Sequence, residues 1–305
     1  MSINVRSAGP LLAGRRMRSG RFWLGFAGPG VLLYVALVAV PAVMALWQSF
    51  TDKDVFNPPT RWVGLANYRA LFADPAFHAA LLNTFKLAVL TVLVPNALGL
   101  AIAMLIDRDK RLYRALRTVF FIPFILSSVV VSVIWESILA DGGMLDSLLS
   151  DLGVHNPPGW LTDPSLALYS VASIAIWQSL GFCIVVYLAG LQTVPAELHE
   201  AAAIDAASAW QRFRRITWPL LAPATTVCTV MLMINAFKTY DQVQVITNGG
   251  PGVNATTTLA FNIVTTGFTD NQIGYASTYA VVMLVLVAVI SLVTLRLLQR
   301  REQNL

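Results

Sequence analysis

Between Asp163 and Glu197 the chain reads PSLALYSVASIAIWQSLGFCIVVYLAGLQTVPA (164–196), without one Asp, Glu, Lys or Arg. A charge at the centre of a bilayer costs at least about 2.5–3.5 kcal/mol. Roughly 20 helical residues, rising 1.5 Å each, cross a ~30 Å hydrocarbon core, so this stretch is a membrane span with length to spare. Five further uncharged apolar stretches flank it, at 22–51, 87–106, 118–135, 216–237 and 271–295. The one at 118–135 is short and is extended past Glu136 to Leu139. The expectation is an all-α membrane protein with six transmembrane helices, at about 22–48, 85–106, 118–139, 166–190, 217–238 and 275–297.

Composition points the same way. Of 305 residues, 56% are apolar and 12% charged, with a mean hydropathy of +0.66, whereas soluble domains carry roughly 45–50% and about 25%. Cys183 and Cys228 lie inside apolar runs, which argues against a disulfide framework or a cysteine metal site. His78, His155 and His199 are scattered without a metal-binding spacing. The pI near 9.4 comes without the aromatic interleaving of a nucleic-acid surface, so nucleic acid is excluded as a partner. No paired carboxylates and no Ser/His/Asp set lie in or beside a span, as a membrane enzyme would need.

Lys and Arg set the orientation. With both ends on one side, sixteen of them lie there, in the N-terminal tail, 107–117, 191–218 and the C-terminal tail. The other side holds five: Lys53, Arg61, Arg69, Lys86 and Lys238. Positive charge stays inside, so both termini are expected in the cytoplasm. The domain 22–298 then lies between cytoplasmic tails 1–21 and 299–305. The first apolar run exceeds the 7–15 residues expected of a signal-peptide core and no clear cleavage site follows, so it is expected to stay as an anchor.

Two loops invite chemical readings. Asn248-Gly249-Gly250-Pro251-Gly252 lacks the Lys and Ser/Thr of a phosphate-binding loop, so it is expected to be a backbone turn needing positive φ, and the chain to have no nucleotide site of its own. The segment 192–218, QTVPAELHEAAAIDAASAWQRFRRITW, reads as one alanine-rich helix. Thr193 can cap it, Pro195 suits its first turn, Glu197 and Glu200 suit its N-terminus, and Arg212, Arg214 and Arg215 suit its end. Its small side chains suit insertion into a groove of another protein; an interfacial connector between two spans fits the same residues.

Glu200-Ala201-Ala202, Asp205, Ile216 and Pro219 resemble the EAA signature of integral membrane subunits of bacterial ABC importers. The likeness continues in GLANYRALFADPAFHAALLNT (64–84), RALRTVFFIPFILSSVVVSVIW (114–135), TNGGP with the following ATTTL, and IGYAS (273–277), all similar to the carbohydrate-uptake group that includes maltose and glycerol-phosphate permeases. The resemblance implies the type I ABC importer permease fold in the bacterial inner membrane. It also implies a homologous second permease, an ATPase dimer holding ATP and Mg, and an extracytoplasmic solute-binding protein, with no cofactor on this chain. Carried over, Glu200 makes the electrostatic contact with the ATPase, Ala201 and Ala202 allow close approach, and Pro219 starts the next span. Ala206 stands where the signature has Gly, and Trp218 where leucine is usual; if that Gly adopts φ > 0, the geometry differs here.

The solute implied is a sugar or sugar-like molecule moved by alternating access. Hydrogen-bonding and aromatic side chains on the later spans, Trp177, Gln178, Tyr187, Asn235 and Tyr240, are the candidate solute-path residues. Trp and Tyr also suit interfacial belts, and Asn and Gln also link helices. Lys86 and Lys238 are the cations an anionic solute would want, or they reach to the interface. The alternative is an ion-coupled secondary transporter, which would need an acid deep in a span or a broken helix near the midplane.

Overall fold

The computed structural model describes residues 19–56, 58–107 and 111–303; most of the tail 1–21, the end of the tail 299–305 and part of the basic loop 107–117 lie outside them. Among the described residues the structure is helical, with one isolated antiparallel bridge, Thr51 to Trp62. Five helical stretches are long and apolar enough to cross a membrane: Ala27–Gln48, Pro75–Ile106, Ser128–Asp151, Ala167–Gln192 and Ile273–Arg300. A bent pair, Ala209–Leu220 with Ala222–Phe237, makes a sixth if it is one span.

The described residues up to Trp47 form one compact unit and those from Gln48 onward a second. In the first, α1 (Ser19–Tyr34) passes through a π-helical turn, Val35–Ala39, into α2 (Val40–Gln48). Pro41 has no N–H for the Leu37 carbonyl. The wider turn absorbs the mismatch, and the Val40 N–H reaches back to the Val35 carbonyl.

The second unit is built on α3 (Ala66–Ala73), α4 (Pro75–Ile106), α5 (Arg111–Ile125), α6 (Ser128–Leu139), α7 (Met144–Asp151) and α8 (Ala167–Gln192). Asp74 starts α4: one carboxylate oxygen accepts from the Ala76 N–H at 2.8 Å, and Pro75 fills the first helical position. At the other end the Arg117 guanidinium donates to the Ile106 carbonyl at 3.2 Å, a cation at a helix C-terminus. α4 and α8 cross closely because Gly99 faces the backbone and Cβ of Cys183, and Gly181 lets α5 bring the Phe120 carbonyl against α8. Small residues at such crossings are how helices pack where lipid removes the hydrophobic drive.

The expected single span at 118–139 is corrected. α5 stops at Ile125 and α6 begins at Ser128, with Ser127 extended at ψ 136°. Pro123 and the Ser127-Ser128 pair are the residue types at which helices break. The span at 217–238 is bent as well. A π-helical turn, Phe213–Thr217, leads into α11 (Trp218–Leu220), and α12 (Ala222–Phe237) departs at 63°. Pro223 cannot donate to the Pro219 carbonyl, so the helix cannot run straight through Leu221.

α13 (Asp241–Ile246), α14 (Leu259–Val264) and α15 (Ile273–Gln303) complete the chain. The connection between α13 and α14 is pinned from α4. The buried Asn83 amide donates to the carbonyls of Asn254, Ala255 and Thr257 at 3.0–3.2 Å, and the Thr84 hydroxyl accepts from the Leu259 N–H at 3.0 Å. Asn248, Gly249 and Gly252 all have positive φ, the turn anticipated for NGGPG. In IGYAS, Gly274 lies against the Thr51 carbonyl, and Tyr275 donates to Asp74 at 3.2 Å.

The alanine-rich segment is not one helix. α9 (Ala196–Ile204) ends in a left-handed residue, and α10 (Ala209–Arg212) restarts behind a capping box made by Ser208 and Gln211. Thr193 closes α8, its hydroxyl donating to the Gly190 carbonyl at 2.7 Å, and does not cap α9. The Ala206 N–H bonds to the Ala203 carbonyl at 3.1 Å and the Ala207 N–H to the Ala202 carbonyl at 2.9 Å, the paired bonds of a Schellman terminus. That terminus places Ala206 at φ +54°, where a Cβ is penalised by roughly 1–2 kcal/mol. Ala206→Gly is expected to stabilise the turn by roughly 0.5–1 kcal/mol after its greater unfolded-state entropy is counted. Amides 205–207 should then exchange hydrogen about two- to fivefold more slowly; faster or equal exchange would contradict the strain.

Candidate functional site

Two places carry the expected functional residues. The first is the α9–α10 turn. Glu200 and Ala201 are exposed on α9, Ala202 is half-buried, and Asp205 and Ala206 form its exposed end. Ile216 and Pro219 are half-buried in the bent connection to α12. α9 buries none of its residues, and Ile204 at its tip is 87% exposed. The structure therefore keeps the left-handed turn with Ala where the signature has Gly.

The second is an open cavity of about 290 Å³ lined by α4, the α5–α6 break, α8, the end of α12 and the start of α13. Of the five expected solute-path residues, Gln178, Asn235 and Tyr240 line it. The other two do not. Tyr187 is buried and donates to the Asn96 side-chain oxygen at 2.7 Å, a link between α8 and α4. Trp177 packs edge-on against Trp135 at 5.5 Å.

The break decides the chemistry of the cavity wall. A carbonyl freed from a helix needs a donor, and the Gln178 amide donates to the Leu126 carbonyl at 3.0 Å. Gln178 in turn accepts from Gln242 at 2.9 Å, and both side chains are buried. On the far side the Tyr240 hydroxyl donates to Gln244 at 3.2 Å, and Asn235 stands exposed on the last turn of α12. Lys238 sits at the C-terminus of α12 and Asp241 in the first turn of α13, each matching its helix dipole. Both line the cavity and bring opposite charges to it. Lys86 is exposed on α4 and is not among the cavity residues.

Sequence reasoning missed Ser128, Ser179, Asp241, Gln242 and the Leu126 carbonyl. Gln242 had a legible signal, since TYDQVQ (239–244) concentrates polar residues directly after an apolar span. The Leu126 carbonyl had none, because it becomes available only where the helix breaks.

Residues 95–303 match the family described as binding-protein-dependent transport system inner membrane component. A probable starch degradation products transport system permease protein of Thermoanaerobacterium thermosulfurigenes is 33% identical over 92% of this chain and 94% of its own length. The sn-glycerol-3-phosphate transport system permease protein of Agrobacterium fabrum is 32% identical over 90% of this chain and 93% of its own. The trehalose/maltose permease protein of Thermococcus litoralis is 32% identical over 85% and 88%. In fold, the chain is similar to a chain in the crystal structure of a bacterial ABC transporter involved in the import of alginate, with TM-score 0.79, 24% identity and coverage of 92% of this chain and 96% of that one. The broken helices that a secondary transporter would also show therefore belong here to another architecture. The chain is a member of the binding-protein-dependent transport system inner membrane component family, a multi-pass permease of an ABC importer.

Proposed function

We propose that this permease lines a sugar pore in which the cavity between the α5–α6 break, α8 and the α12–α13 junction receives the solute. The carrying observation is the meeting of Gln178, Asn235 and Tyr240 in one cavity of about 290 Å³, near the lower end of the roughly 300–1,000 Å³ range of small-molecule sites. Amides, hydroxyls and the two aromatic rings of Phe124 and Tyr240 suit a polyhydroxylated solute. Lys238 faces the cavity together with Asp241, so the two formal charges cancel, which favours a neutral saccharide over a phosphorylated solute. Relatives named for starch products and for trehalose and maltose support that reading.

Asn235→Leu keeps the side-chain volume and removes its hydrogen bonds. In the assembled complex it should raise the KM for saccharide uptake at least about tenfold, the loss of one or two hydrogen bonds. Maltose, trehalose and sn-glycerol 3-phosphate are the probes; uptake of the phosphate alone, or a KM unchanged by the substitution, would sink the assignment.

Energy enters at α9. The exposed Glu200 beside Ala201 and Ala202 offers a negative, backbone-close surface to an ATPase cleft, and the chain's own NGGPG turn lacks phosphate-binding chemistry. ATP and Mg then reside on partner subunits, and the bent α11–α12 pair carries the movement of α9 towards the cavity. Glu200→Arg should abolish solute-stimulated ATP hydrolysis while the chain still inserts and is recovered; normal turnover would refute the docking role.

This arrangement requires both termini and α9 in the cytoplasm, as the excess of Lys and Arg supports. A cysteine replacing the exposed Asp151 should react with an impermeant reagent only from outside, and one replacing Arg300 only from inside. The reverse pattern would invert the topology.

A further inference from the structure

The two ends of the cavity wall belong to different packing groups. α5 packs along the second half of α8, where Leu116 and Phe120 meet the core of Cys183, Ile184 and Tyr187. α6 packs instead against α13 and the first half of α8, with Val131 and Leu139 among Val171, Ile174, Val243 and Ile246. The chain passes from one core to the other through the break at Leu126 and Ser127. Gln178 stands on α8 at the same level, between Ile174 and Cys183. Its amide donates to the Leu126 carbonyl at 3.0 Å, and its oxygen accepts from Gln242 of α13 at 2.9 Å.

We propose that Gln178 and Gln242 are positioning residues of the transport cycle, latching the α5–α6 break to α13 across the cavity wall until solute replaces one of their hydrogen bonds. The inference rests on the importer reading above. The buried Gln178 and Gln242 amides cannot give up their acceptors without leaving a donor unpaired, which holds the break and α13 in one register on α8 while the cavity is empty. A polyhydroxylated solute carries hydroxyls that both donate and accept. It can take over the bond to Gln242 or to Leu126 without leaving a polar group unpaired. The break can then move, and the α6–α13 group with it.

Gln178→Met and Gln242→Met keep volume and chain shape while removing the amide. In the complete complex, each should raise ATP hydrolysis without solute roughly three- to tenfold per complex, the effect of losing one buried hydrogen bond. Each should raise the reactivity of a Ser128→Cys thiol towards an impermeant methanethiosulfonate by a similar factor; the native Cys183 and Cys228 are buried. The double variant should do no more than either single, because one chain is being cut twice. Unchanged hydrolysis and thiol reactivity, lower yield with wild-type activity per complex, or a double effect equal to the product of the singles would overturn the proposal. If the wild-type chain purifies with no ATPase, the importer reading is what fails. The thiol reactivity of the chain alone then decides the latch by the same criteria.

Discussion

A helix that breaks frees backbone carbonyls from its ladder, and the structure depends on how that demand is satisfied. At Leu126 the donor is a side chain two helices away in sequence. The Gln178–Leu126 bond permits α5 and α6 to diverge, and their divergence opens the space that becomes the cavity. Without the break, 118–139 would be one rod and α6 could not pack on α13. With the break but without Gln178, the buried Gln242 amide would lose its acceptor at a cost of about 1–3 kcal/mol.

The same economy recurs at each irregular point. Pro41 is accommodated by a π-helical turn and Pro223 by a 63° bend, while the loop from Gly249 to Thr258 is held by the amide of Asn83. The family-like motifs divide accordingly. LLNT, TNGGP–ATTTL and IGYAS are scaffold that fixes the loop connections to α4 and α15. The polar residues that face the cavity come mostly from between those motifs.

The α9–α10 turn illustrates how a substitution can preserve geometry at an energetic cost. Ala206 holds φ +54° where glycine would be unstrained. The hydrogen bonds from Ala206 and Ala207 back to Ala203 and Ala202 over-determine the turn. The exposed face with Glu200 is thereby presented as a short rigid helix, and the basic residues Arg214 and Arg215 lie beyond a second capped start.

Uncharged length in the sequence determined the all-helical class, because the cost of a charge in hydrocarbon leaves a direct record in composition. The EAA likeness likewise located α9, since small side chains and flanking charges are local properties. The continuous span 118–139 was misread because local propensity does not say which carbonyl a distant side chain will satisfy. Thr193 as a cap and the single helix over 192–218 were misread because short-range hydrogen bonds at Gly190, Ala202, Ala203 and Ser208 end one helix and start the next. Asn235 and Tyr240 were legible as hydrogen-bonding or aromatic groups on the later spans, whereas Tyr187 and Trp177 carried the same signal and were drawn into contacts with Asn96 and Trp135. Only the tertiary structure decided which polar residues share a cavity, because a hydrogen bond between Gln178 and Leu126, or Gln178 and Gln242, is settled by where three helices meet.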